Sequence, residues 1–532
     1  MDLKVKIIAN KWRLLFLGFV VMYVLIILVN LTKTPIQWDE ICHLNSGSML
    51  YMGRYSDFIN NAFYPPLFDV ITWAFFKILG ISLFVARLPA VLFAALALWA
   101  VFEIAYYMYN GKTALLSAVM LGIMPGFFWL STYAMLETIL IFFVTIALLF
   151  FYRWLNTRQD RMLFFSSLAL GLGFLAKYQT PIIAGLIIAF SILVFARKTL
   201  KTHFKKLVIG ITAAVLVIAP GVIIAYKVFK SEFISQWLYV LQEGNPGRSV
   251  YSARFPLPVF YLIEMVWPYP NVHPISVFCY ILGLAGLAYM IYRHRQQDKF
   301  ILIWFAVVYV FFTIVSNKDW RYVTPLFPAV AIAAATLMIS LGEKIQKEWK
   351  KPRVNIVKKH LVKVTSAILI TTMAGAMVYS VHDTYSFTIK SYVNTGIKNS
   401  TIYVCNNIEE NKSIMLLSPF NTFNKDMVQF FLWTESDRDT KILQYPSQAI
   451  DTYVPDFNLD EFTQQCRQNN VQYIIFNEHG GATKPYYPYD NSTLNLRQIY
   501  EQLHSSENFT KINIEQTFGD EPNRTFIISF TG

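Results

Sequence analysis

Residues 14–31 read LLFLGFVVMYVLIILVNL, an apolar run without a charged residue, and Trp38-Asp39-Glu40 follow shortly after it. A helix needs about 20 apolar residues to cross roughly 30 Å of bilayer hydrocarbon. Basic residues precede the run, as in a signal peptide, but no small-residue cleavage site is evident. The sequence therefore predicts a retained first membrane span, with two acids just beyond its outer end.

Similar apolar runs recur along the chain. Of its 532 residues, 55% are hydrophobic and only 15% are charged, whereas a soluble domain carries about a quarter charged residues. The composition therefore predicts an all-α polytopic membrane domain with about eleven transmembrane helices. The predicted spans lie near 14–31, 83–108, 113–131, 136–153, 162–176, 180–196, 207–226, 274–292, 300–316, 323–341 and 364–382.

The distribution of basic residues predicts the orientation in the membrane. Of the 46 Lys and Arg residues, 24 lie in 64 residues at one end of the predicted spans, and the short loops at the other end have few. By the positive-inside rule, the N-terminus is then cytoplasmic and the C-terminus extracytoplasmic, in the plasma membrane. Because the net charge of +13 clusters between the spans, it does not indicate nucleic-acid binding.

Two predicted outer loops, 32–82 and 227–273, are too long to be simple connectors. Residues 67–80 are apolar but short for a span, so we expect a helix lying along the interface, or alternatively a re-entrant or transmembrane segment. The second loop is rich in aromatic residues and proline, and includes Trp267-Pro268-Tyr269-Pro270.

A polar C-terminal region follows the last predicted span. We divide the chain into a transmembrane domain, 1–384, and a small extracytoplasmic α/β domain, 385–532, with strands predicted at 413–417 and 471–476. Cys405 and Cys466 could pair in an oxidising exterior. Five Asn-x-Ser/Thr sequons suit that location, at Asn399, Asn411, Asn491, Asn508 and Asn523.

Five ionisable residues lie near membrane depth without a role in topology, and all fall at the predicted outer face. They are Asp39, Glu40, Glu137, Lys177 and Arg321. Burying an ionised side chain at such a depth costs several kcal/mol, unless the side chain is paired with an opposite charge or takes part in the function. Carboxylates beside two cations suit a reaction that deprotonates a nucleophile while neutralising a phosphate leaving group. The set predicts group transfer from a phosphorylated lipid.

The chain resembles the GT-C polyprenyl-phosphate-sugar glycosyltransferases, in the branch of the protein O-mannosyltransferases and the lipid A aminoarabinose transferase. The motifs that carry this resemblance occur in order along the first 330 residues. They are Asp39-Glu40, Tyr64-Pro65-Pro66-Leu67, Ala86-Arg87-Leu88-Pro89-Ala90, Leu136-Glu137, Gly171-Leu172-Gly173-Phe174-Leu175-Ala176-Lys177, and Arg321-Tyr322 followed by Pro325 and Pro328.

The resemblance implies an inverting glycosyltransferase that moves a monosaccharide from a dolichyl or undecaprenyl phosphate to a hydroxyl of a protein, lipid or glycan. Asp39 would be the general base and Glu137 a second acid, while Lys177 and Arg321 would bind the donor phosphate. Supporting roles fall to Glu40, Tyr64, Arg87 and Tyr322. We expect Asp39, Glu137, Lys177 and Arg321 to line one outward-facing cavity.

This sequence departs from the family pattern at several positions. Tyr64 and Cys42 stand where the aminoarabinose branch has Lys and Arg, so His43 becomes a candidate phosphate ligand. Glu137 replaces an Asp. The first outer loop has no Asp-x-Asp, so neither a divalent metal nor another cofactor is predicted, and no cysteine spacing suggests a structural metal.

Three other functions compete with this prediction. A transporter or flippase of lipid-linked substrates also needs many spans, but usually places its charges near the midplane and often shows internal repeats. An oligosaccharyltransferase shares the architecture, but its Trp-Trp-Asp signature is absent, since Thr434-Glu435 follow Trp433. A non-catalytic relative is the third.

Overall fold

A computed structural model describes most of the chain. The described residues are 3–60, 64–197, 199–230, 254–266, 273–350, 356–388, 394–418, 424–436, 440–445, 458–477, 502–503, 512–520 and 524–530. The aromatic motif at 267–270 and the sequons at 491, 508 and 523 lie outside these ranges, whereas Asn399 and Asn411 are described and exposed.

The first 388 residues are helical wherever a regular element is described. The α-helices are α1 (Leu3–Asn30), α2 (Trp38–Tyr51), α3 (Tyr55–Asn60), α4 (Leu67–Leu79), α5 (Leu83–Met108), α6 (Gly111–Gly122), α7 (Pro125–Leu130), α8 (Glu137–Thr157), α9 (Asp160–Ala176), α10 (Gln179–Phe195), α11 (Thr199–Phe229), α12 (Phe260–Glu264), α13 (Val277–Arg293), α14 (Gln296–Ile314), α15 (Leu326–Lys350) and α16 (Ile356–Thr388).

Seven of the described helices are long and apolar enough to cross a membrane: α1, α5, α8, α11, α14, α15 and α16. The other predicted spans correspond to shorter apolar helices. The span predicted at 113–131 is in fact two helices, because α6 ends at Gly122 and α7 begins at Pro125. Proline lacks the N–H that would continue the helix, and its ring disfavours helical backbone in the preceding residue.

Close packing of small residues holds the bundle together. On α13, a Cβ added at Gly286 would lie 2.2 Å from the carbonyl oxygen of Ala333 on α15. Lipid offers no hydrophobic drive for helices to associate, so such close backbone approach is a main source of stability. The buried face of α15 is correspondingly rich in alanine.

The first outer loop contains three helices, of which only α4 was predicted. The helix expected at 67–80 is α4, and it buries Phe68, Asp69, Thr72 and Phe76. The unpredicted helix α2 packs against α4 and α5. Its first turn carries Asp39 and Glu40, where the helix dipole favours negative charge.

The C-terminal region forms the predicted α/β domain. Its helices are α17 (Ile397–Asn407), α18 (Lys425–Glu435) and α19 (Leu459–Gln468), and its strands are β1 (Ser413–Leu417), β2 (Lys441–Tyr445), β3 (Val471–Asn477), β4 (Ile512–Phe518) and β5 (Thr525–Phe530). The sheet order is β2-β1-β3-β5-β4. β2, β1 and β3 are parallel, whereas β5 and β4 are antiparallel additions.

This domain docks directly on the helix that carries Asp39. The Asn45 side-chain amide on α2 donates to the carbonyl oxygen of Asp426 on α18, at 3.1 Å. Beyond the end of α2, the Arg54 guanidinium lies 5.3 Å from the centre of the Trp433 ring. The two domains therefore share one packed interface around α2.

Cys405 and Cys466 are not joined in a disulfide. The two side chains lie in different apolar clusters, one continuous with the helical bundle and the other on the far side of the sheet. Neighbouring residues of a strand point to opposite faces, so the sheet separates the two thiols.

Candidate active site

Glu40 and Arg87 form a fully buried ion pair, with neither side chain exposed. The Glu40 carboxylate also accepts from the backbone N–H of Ala134 at 2.9 Å, and from that of Gln37 at 2.9 Å. The remaining Arg87 donors bind oxygens at the end of α1, which belong to Leu31, Thr34 and Pro35. The pair therefore fixes the start of α2 against α1 and α5, and exposes no charge to a substrate.

Asp39, the neighbour of Glu40, is directed to a different partner. Its carboxylate accepts from Nη1 of Arg321, a residue of the 3₁₀ turn Trp320–Val323 that precedes α15. Asp319 holds the same guanidinium from the other side, through Nη2 at 2.7 Å and Nε at 3.2 Å. One cation is thus shared between two carboxylates.

Burial lowers the pKa of the Arg321 guanidinium, but nearby negative charges outweigh this effect, so its pKa lies well above the usual value. Asp319 and Asp39 contribute most of that charge, and Glu137 also contributes. Arg321 is therefore permanently charged, and Glu137 lies within electrostatic reach of it.

Glu137 and Lys177 form a second buried pair in the same region. Glu137 is the first residue of α8, and Lys177 follows the last residue of α9. The Lys177 Nζ donates to Oε1 of Glu137 at 2.9 Å, and the two residues are only 8% and 5% exposed. Through Glu137, this pair lies within electrostatic reach of Arg321. That all four side chains line one outward-facing cavity stays a prediction.

His43 is paired with an acid that the sequence interpretation missed. Its Nδ1 lies 2.8 Å from Oδ1 of Asp69 on α4, and the ring is 3% exposed. Burial opposes protonation of His43, but Cys42 and Asp69 outweigh it, so the pKa of His43 lies well above its usual value. Burial also raises the pKa of the Asp69 carboxyl, while His43 lowers it. A phosphate contact from His43 stays a prediction, since this side chain is directed to Asp69.

Tyrosine hydroxyls surround the Asp39 end of the site. Burial raises the pKa of the Tyr64 hydroxyl well above its usual value, and nearby groups that carry negative charge when ionised raise it further. Those groups belong to Cys42, Asp39, Tyr178 and Tyr322. Tyr178 was not singled out from the sequence, although it directly follows Lys177.

An apolar groove begins at Tyr64. Its volume is about 260 Å³, and it runs between the first outer loop, the end of α9 and the second half of α11. Apart from Tyr64 and Tyr55, its walls are carbon-rich, and they belong to Leu50, Phe58, Ile59, Pro65, Pro66, Phe174, Leu175, Gly221, Ile224 and Ala225. None of the four ionisable residues lines this groove, and its link to them is Tyr64, which lies within electrostatic reach of Asp39. The walls of the groove suit an aliphatic chain.

Lys318, a third buried cation, has a structural role. Its Nζ donates to the carbonyl oxygens of Phe312 and Thr313, both at 2.7 Å, and to that of Val315. Those carbonyls end α14 and have no helical donor, so the ammonium caps the helix.

Among the residues that the structure describes, no group of three or more His, Cys, Asp or Glu side chains could hold a metal ion. The expectation that catalysis needs no metal stays a prediction.

The comparisons with known proteins agree with this arrangement. Residues 64–224 match the family model described as dolichyl-phosphate-mannose-protein mannosyltransferase. An uncharacterized protein of Aquifex aeolicus is 25% identical over 237 residues, which are 44% of each chain. The undecaprenyl phosphate-alpha-4-amino-4-deoxy-L-arabinose arabinosyl transferase of Pectobacterium carotovorum is 25% identical over 51% of this chain and 48% of its own. The chain thus spans about half the length of these curated relatives.

Similarity to solved structures extends over nearly the whole fold. ArnT from Cupriavidus metallidurans bound to undecaprenyl phosphate has a TM-score of 0.63 and 14% identity, over 98% of this chain and 99% of that one. The oligosaccharyltransferase AglB from Archaeoglobus fulgidus was solved in complex with an inhibitory peptide and a dolichol-phosphate. It has a TM-score of 0.58 and 13% identity, over 88% of this chain and 70% of that one.

The apolar helices and the structural similarity show an integral membrane protein with the fold of these two enzymes. Within that fold, residues 64–224 are similar to the mannosyltransferase family model, and the chain is similar in sequence to an undecaprenyl phosphate aminoarabinose transferase over about half its length. These comparisons support the resemblance seen in the sequence motifs.

Proposed function

We propose that this protein is an inverting glycosyltransferase that transfers a monosaccharide from a polyprenyl phosphate to an acceptor hydroxyl. The contact between Asp39 and Arg321 carries the proposal, because it places a carboxylate base beside a permanent cation. Glu137, which pairs with Lys177, acts electrostatically on Arg321, and Tyr64, within electrostatic reach of Asp39, lines the apolar groove.

In the proposed reaction, Asp39 accepts the proton of the acceptor hydroxyl as its oxygen attacks the anomeric carbon. The new carbon–oxygen bond forms as the bond between the anomeric carbon and the phosphate oxygen breaks, which inverts the configuration. The phosphate gains a negative charge as it leaves. Arg321 and Lys177 stabilise that charge, and fixed cations act most strongly where charge develops in the transition state.

Arg321 contacts two acids, Asp39 and Asp319. This arrangement suggests how donor binding would prepare Asp39 to act as the base. Asp319 is bound by Nε and Nη2, whereas Asp39 is bound by Nη1. A donor phosphate can replace Asp39 at Nη1 while Asp319 keeps the guanidinium in place. Asp39 then loses its ion pair only when the donor is present, and becomes able to accept a proton.

The apolar groove would bind the polyprenyl chain of the donor. Each buried methylene contributes about 0.8 kcal/mol, so even two isoprene units in an apolar groove add substantially to donor affinity. Tyr64 lines the groove and also lies among the groups around Asp39. A polyprenyl chain in the groove would thus bring its phosphate toward Arg321.

The orientation and location stay part of the proposal. The concentration of Lys and Arg at one end of the spans supports a cytoplasmic N-terminus in the plasma membrane, with the site and the C-terminal domain outside. The acceptor is a protein, a lipid or a glycan, and the C-terminal domain, docked on α2, is placed to help recognise it.

A donor panel tests this proposal. Purified full chain in nanodiscs is incubated with several polyprenyl-phosphate monosaccharides and with a lipid-linked oligosaccharide, and donor loss is followed by mass spectrometry. The proposal predicts that a monosaccharide donor is consumed and polyprenyl phosphate is released. Consumption of the oligosaccharide alone would favour an oligosaccharyltransferase, and movement of intact donor between leaflets without cleavage would favour a flippase.

A further inference from the structure

A second cavity lies at the end of the bundle opposite the catalytic site. It has a volume of about 320 Å³ and forms where the turn between α5 and α6 meets α13, α14 and α15. Arg87 lies near the start of α5 and Tyr109 just after its end, so the two sites are about 33 Å apart along the helix. This cavity therefore cannot belong to the donor site.

A polar cluster centred on Asp298 lies behind the wall of this cavity. Asp298 is fully buried, and it accepts from the Tyr109 hydroxyl at 2.8 Å and from Nε of Arg293 at 2.6 Å. The Arg293 guanidinium also lies over the rings of Tyr109 and Tyr289, at 5.5 and 5.2 Å. These contacts fix one arginine in the wall without requiring a ligand.

The rim of this cavity carries three exposed cations. Arg295, Lys344 and Lys347 line the cavity and are exposed, and none forms an ion pair with a described residue. The one acid in the lining, Glu343, lies 3.7 Å from Lys112. The cavity therefore presents a concentrated positive charge.

Helix geometry adds to that charge. Ser340, Lys344 and Lys347 are spaced to share one face of α15, so both lysines lie on the side that lines the cavity. Asn110 and Thr113 also line the cavity, so the N-terminus of α6, with its partial positive charge, opens on it.

We propose that this basic cavity, lined by Arg293, Arg295, Lys344 and Lys347, binds the phosphate group of an anionic ligand. It lies where α13 ends and α14 begins, so a lipid headgroup and a soluble phosphate can both reach it. Basic pockets between membrane helices commonly hold anionic headgroups. The volume also falls within the range of ligand pockets, roughly 300–1,000 Å³.

The test titrates phosphatidylglycerol or phosphatidylcholine into purified full chain in detergent and measures bound lipid by native mass spectrometry. The variant Lys344→Gln/Lys347→Gln is compared with Lys205→Gln/Lys299→Gln, a pair of exposed lysines at the same end of the bundle but outside the cavity. A basic residue near a headgroup contributes about fivefold in affinity, so the cavity variant should bind phosphatidylglycerol roughly 25-fold more weakly. The control pair should bind as the wild type does.

A second arm identifies the source of the phosphate. If millimolar inorganic phosphate displaces phosphatidylglycerol from the wild type, the phosphate group alone is recognised; if it does not, the lipid headgroup is the ligand. The proposal is overturned if the cavity variant binds phosphatidylglycerol as the wild type does, or if phosphatidylcholine binds equally well. It is also overturned if Arg321→Gln, at the donor site, abolishes the binding while Lys344→Gln/Lys347→Gln leaves it intact.

Discussion

Arg321 donates to the carboxylate of Asp39 through Nη1, although the two residues lie 282 positions apart in the chain. One follows α14 and the other begins α2, so only the folded bundle brings them together. Asp319 also holds the guanidinium, through Nε and Nη2. The resulting account is that a donor phosphate takes Nη1 and leaves Asp39 ready to act as a base.

Replacing Arg321 should damage the reaction. Arg321→Gln removes a cation from the leaving phosphate, and loss of one such donor lowers turnover by about 10²–10³-fold. Steady-state kinetics with a polyprenyl-phosphate sugar measure this effect. Arg161→Gln, an exposed arginine at the start of α9, is the control and should retain full activity. Normal turnover by Arg321→Gln would rule out the proposed phosphate contact.

Replacing Arg87 should damage the fold itself. Arg87→Met leaves Glu40 buried without its cation, and breaking a buried pair costs about 3–5 kcal/mol. Thermal unfolding in nanodiscs measures the loss. The double variant Glu40→Gln/Arg87→Met should recover part of it, because no buried charge is then left unpaired.

A matched control for this pair exists at the protein surface. Arg13 pairs with Glu103 but its side chain is 54% exposed, so Arg13→Met should change the free energy of unfolding by no more than about 1 kcal/mol. Equal effects of Arg13→Met and Arg87→Met would contradict the structural role given to the buried pair.

The pairing of His43 with Asp69 predicts a pH-dependent stability. The pKa of His43 is raised in the folded chain, so its contribution is fully present below the unfolded value of about 6.5 and disappears as the pH rises through the folded value. The gap in Tm between wild type and Asp69→Asn should therefore be largest at low pH and narrow as the pH rises. Asp57→Asn, an exposed acid on α3, should show no such trend. A gap that widens with pH would refute the pairing.

A bulkier side chain in the apolar groove should raise the KM of a long-chain donor more than that of a short-chain donor. Ile224 lines the groove on α11, whereas its neighbour Ile223 does not. Ile224→Trp should raise the KM for a long-chain donor roughly tenfold, the loss of about 1.4 kcal/mol of binding, with less effect on a donor of two isoprene units. Ile223→Trp should change neither KM. An equal rise in both variants would mean that the groove does not hold the lipid.

The sequence predicted the membrane domain well because the bilayer imposes a strong constraint. Apolar length alone marked the seven described helices that are long enough to cross a membrane, and polar composition indicated a C-terminal α/β domain. The split at Pro125 was missed because the surrounding residues are apolar on both sides. Helix α2 was missed for the opposite reason, since its residues are too polar to form an apolar run.

The sequence pointed to the charged residues of the candidate site, but it did not show which residues they contact. The predicted topology indicated that Asp39, Glu137, Lys177 and Arg321 fall at one face, but which cation contacts which acid depends on how distant helices pack. One feature of the sequence could have pointed to Asp69, because it is an acid in the otherwise apolar first turn of α4. Buried acids of that kind need a partner, and His43 is the one that the fold supplies.

The most direct test of the central claim compares wild type with Asp39→Asn for release of polyprenyl phosphate from a polyprenyl-phosphate monosaccharide, in the presence of an acceptor. A general base contributes about 10²–10⁴-fold, so the account predicts a loss of that size in turnover while donor binding and Tm stay near the wild-type values. Release at the wild-type rate by Asp39→Asn would contradict it.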